Sequence, residues 1–125
     1  MTIQVGDAAS NAVFTDVLSQ GTSLGSLNAQ SLVQLRGQAT TTVQVTAIGV
    51  LTLTFEATVD GTNFFAVNMF PPAGGAAVTS TTTNGQWTSQ ISGYYQFRTR
   101  VSAYTSGTVL VSSNASAGTD RKSVV

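Results

Sequence analysis

Along most of the chain, apolar and polar side chains alternate with a period of two. Between Val50 and Val59, Leu51, Leu53, Phe55, Ala57 and Val59 share one parity, and Thr52, Thr54, Glu56 and Thr58 share the other. Successive side chains of a strand point to opposite faces, so this run predicts a strand with one buried and one wet face. Asp60-Gly61 follows, a pair that supplies the positive φ angles of a tight turn. The chain returns from Thr62 to Phe70 with Phe65, Val67 and Met69 on one parity, and the two runs together predict a hairpin.

The same pattern recurs elsewhere. Thr41 to Ala47 places Val43, Val45 and Ala47 inward, with Thr42, Gln44 and Thr46 outward. Tyr95 to Ala103 places Tyr95, Phe97, Thr99, Val101 and Ala103 on one side. Tyr94, Gln96, Arg98, Arg100 and Tyr104 form the other row. Ser106-Gly107 reads as a turn into a further hairpin strand, Thr108 to Ser113. Ser31 to Leu35 and Gln86 to Ile91 are shorter strands, punctuated by Gly37, Gly85 and Gly93. Pro71-Pro72-Ala73-Gly74-Gly75 is a loop, because two prolines stop a ladder and glycines permit a sharp reversal. Thr79 to Asn84 is Thr-rich and extended. Near the N-terminus, Val13, Phe14, Val17 and Leu18 fit a short helix after Ser10. The β-branched set Val13, Thr15, Val17 favours a strand at 12–18 instead.

About seven to nine short strands separated by turn signals predict an all-β fold, a β-sandwich or small barrel, with a single antiparallel sandwich, jelly-roll-like, favoured. The expected organisation is an N-terminal arm over 1–25, a sandwich over 26–116 and a polar C-terminal tail over 117–125, with polar character starting at Asn114. Sheet edges are usually defended by Lys, Pro or a bulge. This chain has a single lysine, so its edges are expected to pair with partner subunits or to lie under the terminal arms.

Composition sharpens the picture. At 125 residues the chain makes one domain, and its 42% hydrophobic content supports a core. Only 8% of residues are charged, five of each sign, against a usual ~25%. A folded chain of this mass exposes roughly 6,300 Å². That leaves about one charged side chain per 600 Å². A surface of Ser, Thr, Asn, Gln and Gly does not repel its copies and suits dense assembly. Nucleic acid is disfavoured, because phosphate neutralisation needs clustered cations. The only basic pairs are Arg98/Arg100 and Arg121/Lys122. No apolar run approaches the ~20 residues of a membrane-spanning helix. MTIQVGDAAS does not read as a signal peptide, so synthesis in the cytoplasm is expected.

There is no Cys and no His, which removes thiol nucleophiles, Cys/His zinc sites and His-based triads. Glu56 and Asp60 share a parity, but four residues of strand span roughly 13 Å. Glycosidase carboxyls sit about 5–9.5 Å apart. Neither a G-x-S-x-G elbow nor a phosphate-binding loop is present. No calcium-loop spacing occurs, and no metal or cofactor is expected. Asn114-Ala115-Ser116 fits a glycosylation acceptor without a secretion signal, and the terminal Ser123-Val124-Val125 is too common an ending to weigh. Trp87, alternating with Ser89 and Ile91, reads as core. The row Tyr94, Gln96, Arg98, Arg100 and Tyr104 has three readings. It is a solvated face whose arginines pair with Glu56 or Asp60, a protein interface, or a glycan platform.

The stretch VLTLTFEATVDGTNFFAV, followed by TTTNGQWTSQISGYYQFRTRVSAYTSGTVLVSSNAS, resembles small β-sandwich domains of tailed-bacteriophage structural proteins. The shared features are Phe55, Glu56, Asp60 and Gly61 of the hairpin, Asn84 to Trp87, and Phe97, Arg98 and Arg100 leading into Thr105 to Thr108. A pair, Phe64-Phe65, stands where one aromatic is expected. The similarity spans roughly Ser26 to Ser116. It implies a non-enzymatic virion component on a capsid surface, tail or fibre. A stand-alone domain suits a capsid decoration or cementing protein that forms a homo-oligomer, with a trimer favoured. Its expected partners are itself and the major capsid protein or other virion proteins. The expected lattice contact is the N-terminal arm, with Val13, Phe14, Val17 and Leu18 as its candidate residues, or an edge strand, by strand addition and apolar side-chain docking. The alternative is a carbohydrate-binding adhesin module that holds a cell-surface glycan. A bacterial extracellular assembly subunit is a third reading.

Overall fold

The computed structural model describes residues 17–117. Nine strands are present among them, in chain order: β1 Val17–Leu24, β2 Gln30–Gln34, β3 Thr40–Thr46, β4 Val50–Thr58, β5 Phe65–Ala66, β6 Ser80–Thr81, β7 Gly85–Gln90, β8 Gln96–Ser106 and β9 Val109–Ser116. No helix occurs among the described residues. The strands form two sheets, in the orders β1-β9-β3-β7 and β2-β8-β4-β5, and β6 also pairs with β4. Every pairing is antiparallel. With the two-residue β6 set aside, eight strands remain. Their distribution between the two sheets is that of a jelly roll.

The two sheets bury most of the parity that the sequence marks as apolar, but Val59, Tyr95 and Ala103, expected on that side, are exposed. Leu53, Phe55, Val43, Val45, Phe97, Val101, Val109 and Val111 are fully buried, together with Val33, Met69 and Ile91. Phe55 on β4 meets Trp87 on β7 across the sandwich, ring centroids 5.5 Å apart and tilted by 47°. Aromatic pairs in that range add to the burial of each ring. Trp87 is therefore core, as its alternation with Ser89 and Ile91 indicates.

Several expectations need correction. The Asp60-Gly61 turn is not a two-residue hairpin. β4 ends at Thr58 and pairing resumes at Ala57↔Phe65, so a longer loop intervenes. Asp60 organises that loop, accepting from the amides of Thr62 and Asn63 at 2.8 Å each, while Thr58 accepts from the amide of Gly61 at 3.0 Å. Phe65 sits outside the core on the edge strand and is exposed. Beyond β5 the chain leaves β4: Met69 bridges Val78 and Phe70 bridges Thr88 of the other sheet.

β8 and β9 are also not a hairpin. They lie in different sheets, and β9 runs between β1 and β3. A Ser-Gly turn serves a sheet-to-sheet crossing as well as a hairpin, so the local signal does not separate them. Here the crossing is tight. A Cβ at Gly49 would fall 2.8 Å from the carbonyl oxygen of Ser106 and 3.0 Å from the Cα of Gly107. Ala47, expected inward, takes a positive φ of 54° in the β3–β4 turn and is exposed.

The boundary expected at residue 25 also moves. β1 lies before it and is a full member of the sandwich, paired with β9 from Val17↔Ala115 to Leu24↔Val109. At the other end β9 carries Asn114 to Ser116, with Ala115 fully buried, so the polar run does not begin a tail there. Val13 and Phe14 lie outside the described residues, as does the C-terminal segment from 118.

Candidate functional site

The charged residues of the described chain concentrate on the outer face of the β2-β8-β4 sheet. Glu56 on β4 stands directly across from Arg98 on β8, with Arg100 one step further along the same face. Strand β4 brings Glu56 there because Leu53, Phe55 and Ala57 take the inward parity. Arg98 Nε donates to Glu56 Oε1 at 2.6 Å, and Arg100 Nε to the same oxygen at 3.1 Å. Arg100 Nη2 donates to Glu56 Oε2 at 2.9 Å. Charged hydrogen bonds of this fork geometry are the strong ones.

A second ring of polar groups fixes the arginines. Arg98 Nη1 donates to Gln30 Oε1 and Arg100 Nη1 to Asn28 Oδ1, both at 3.0 Å. Gln96 Nε2 donates to Gln34 Oε1 at 2.7 Å. The Arg98 guanidinium carbon lies 3.7 Å above the Phe64 ring, a cation–π contact from the Asp60 loop. The Glu56 side chain is only 9% exposed, against 20% and 24% for Arg98 and Arg100. The hydrogen bond from Arg100 holds the Glu56 carboxyl below its usual range; burial opposes that shift and Arg98 adds to it. Glu56 in turn raises the Arg100 guanidinium.

Both carboxylates, Glu56 and Asp60, are thus engaged by neighbouring donors. Glu56 is held ionised by two guanidiniums. Asp60, held low chiefly by the backbone amides of Asn63 and Thr62, also takes bonds from the Asn63 amide side chain and Thr58 Oγ1. The pairing of Arg98 and Arg100 with Glu56 agrees with the solvated-face reading, while Asp60 takes no part.

The expected five-residue row does not form one platform. Gln96, Arg98 and Arg100 share the outer face, but Tyr94 packs against the edge of the core. It lines a depression of about 420 Å³ with Val67, Phe70 and Ser89. Between Val101 and Ala103 the β4–β8 register slips by one residue at Ser102. Such a bulge reverses the parity beyond it. Tyr104 consequently pairs with buried Leu51, and its hydroxyl donates to the Gly107 carbonyl at 3.1 Å. Asn28, Gln30 and Phe64 are the site residues that alternation misses, because each arrives from a segment remote in sequence.

The opposite sheet has a different character. Strands β1, β9, β3 and β7 contain no Asp, Glu, Lys or Arg. Its outer face presents Thr42, Gln44, Gln86, Thr88 and Ser112 with exposed Leu18 and Leu110. Leu18, from the expected arm, lines a depression of about 340 Å³ on this face with Thr42, Gln44, Gln86, Ser112 and Asn114. Val17, its neighbour, pairs with Ala115 as the first residue of β1. Among the described residues no group of three or more acidic, His or Cys side chains gathers as a metal site, and no helix is long and apolar enough to cross a membrane.

No protein-family model matches the chain, and no curated protein matches it. Solved structures do. The SPBc2 prophage-derived protein YomS is similar with a TM-score of 0.65 at 18% identity, covering 92% of this chain and 97% of its own. The PBSX exported protein XepA is similar with a TM-score of 0.63 at 18% identity, covering 81% of this chain but 37% of its own length. At that identity the likeness is one of fold. This sandwich is a fold also found in a prophage-derived protein.

Proposed function

We propose that this chain is a non-enzymatic bacteriophage virion protein, a capsid decoration or cementing subunit that packs against the head lattice. The observation that carries the reading is the charge-free outer face of the β1-β9-β3-β7 sheet. Burying a charge against a neighbour is costly, whereas hydroxyl and amide groups exchange water for partner hydrogen bonds at little net cost. A face of this kind suits close packing in an ordered shell. Leu18 and Leu110 supply apolar contact. The fold shared with YomS supports the phage setting. Repetition over a lattice would let each contact be modest.

The test places charge on that face. Thr42→Lys with Ser112→Lys is expected to leave the melting temperature within a few degrees of wild type and to abolish recovery of the chain in purified particles. Deleting residues 1–16, which leaves β1 whole, tests the arm by the same readout. Undiminished incorporation of the double lysine variant would contradict the reading.

A further inference from the structure

We infer that a second copy of this chain adds to the outer edge of β2, antiparallel, about a two-fold axis at Leu32. The inference goes beyond the virion reading and does not depend on it.

β2 has one strand neighbour, β8. The bonds that flank the strand come from odd-numbered residues: the Val101 amide donates to the Ala29 carbonyl, and the Leu35 amide to the Tyr95 carbonyl, both at 2.9 Å; the Asn28 amide, at a positive φ before the strand, also donates to the Val101 carbonyl. The intervening register is regular from Gln30↔Arg100 to Gln34↔Gln96. Antiparallel bonding alternates along a strand, so the backbone groups of Gln30, Leu32 and Gln34 point away from β8. Among the described residues no other strand pairs with them, although β1 lies close by, with Ser19 Oγ 3.3 Å from Ser31 Oγ.

The remaining edges are covered or broken. β1 is interrupted by a bulge between Ser19 and Thr22, where the Gly21 amide donates to Ser112 Oγ at 2.8 Å. β7 exchanges two backbone bonds with Phe70. The far side of β4 carries β5 and β6. β2 has no bulge, Lys or Pro, the usual defences of an open edge.

The occupant follows from the sequence of the edge. Gln30-Ser31-Leu32-Val33-Gln34 is nearly symmetric about Leu32. Antiparallel pairing on that axis sets Leu32 against its twin and Gln30 against Gln34 of the second copy. All three outward residues then meet in hydrogen-bonded pairs. The side chains match too. Gln30 Oε1 is taken by Arg98, which leaves its amide group to donate. Gln34 Oε1 accepts from Gln96 and retains a second lone pair. Leu32, 39% exposed, would be covered by its counterpart. The formal net charge is zero, Arg98 and Arg100 are held on Glu56, and Arg36, just past the strand, falls opposite Asn28 of the second copy, so no like charges stand directly opposite each other at the seam. A five-residue edge buries less than the ~1,200–2,000 Å² of a stable interface. The pairing is therefore weak and concentration-dependent in solution, and repetition in an array strengthens it.

The test uses the full chain, which has no cysteine of its own. Hydrogen-bonded antiparallel partners have Cα atoms about 5.5 Å apart, within reach of a disulfide. Leu32→Cys is expected to form a covalent dimer under mild oxidation. Gln30→Cys, whose twin would lie about 14 Å away, is expected to remain monomeric. Sedimentation of the wild type up to millimolar concentration should show reversible dimers. Leu32→Pro, which removes only an outward-pointing amide, should weaken them at least tenfold with the melting temperature retained. Equal cross-linking of the two cysteine variants would overturn the inference. So would a wild type that stays monomeric throughout, or undiminished dimers with proline at 32.

Discussion

Glu56 receives Arg100 at two points, Nε on Oε1 at 3.1 Å and Nη2 on Oε2 at 2.9 Å, while the Glu56 backbone sits opposite Arg98. One carboxylate thus ties β4 to β8, the longest strand of its sheet, on the face away from the core. Glu56→Gln removes the charge and leaves two guanidiniums without an anion. Because both arginines are partly solvated, the loss is expected to be about 1–2 kcal/mol, below that of a fully buried pair. Urea unfolding at neutral pH measures it.

The same pair sets a pH dependence. The folded-state pKa of Glu56 lies below its ordinary value of 4.5, chiefly through Arg100. The unfolded chain therefore binds the proton more readily. The stabilisation is present above about pH 4.5 and is lost as pH falls through the folded-state value. Asp60 is shifted in the same direction by its loop amides. The wild-type urea midpoint is expected to drop between pH 5 and pH 3. Glu56→Gln should flatten that drop, and Glu56→Gln with Asp60→Asn should flatten it further. An unchanged slope in the double variant would refute the assignment.

The strands and their inward faces were largely legible, because alternation is local. Leu51, Leu53, Phe55 and Ala57 are buried as their parity indicates. Adjacency was not legible. Nothing local distinguishes a β8–β9 hairpin from the crossing at Gly107. The slip at Ser102 turns Tyr104 to the other face without any change in its own neighbourhood. Within the arginine cluster, Glu56, Arg98 and Arg100 follow from parity. Asn28, Gln30 and Phe64 do not, because only the register of β2 on β8 and the fold of the Asp60 loop bring them in.

The crossing itself offers a second test. The backbone of Gly49 packs on Ser106 and Gly107, leaving no room for a methyl group. Gly49→Ala is expected to cost about 1–3 kcal/mol through displaced backbone. Gly25→Ala, whose new methyl would meet only the end of the Thr108 side chain at 3.1 Å and the Gly107 carbonyl oxygen at 3.8 Å, should cost less. Thermal melts of the two variants, followed by the emission of buried Trp87, make the comparison.

Inside the sandwich, Thr99 Oγ1 and Ser113 Oγ are buried with no hydrogen-bond partner. An unsatisfied hydroxyl penalises the folded state. Thr99→Val keeps the volume and shape and removes the polar atom. It is expected to raise stability by about 1 kcal/mol, read as a higher urea midpoint at unchanged slope.

The most direct measurement of the central claim is quantitative mass spectrometry of purified phage particles whose genome encodes this chain, joined to imaging of the same particles. The expected result is a fixed copy number matching the shell symmetry, with the β1-β9-β3-β7 face against a neighbouring subunit. Particles devoid of the chain, or a chain carried with that face open to solvent, would contradict it.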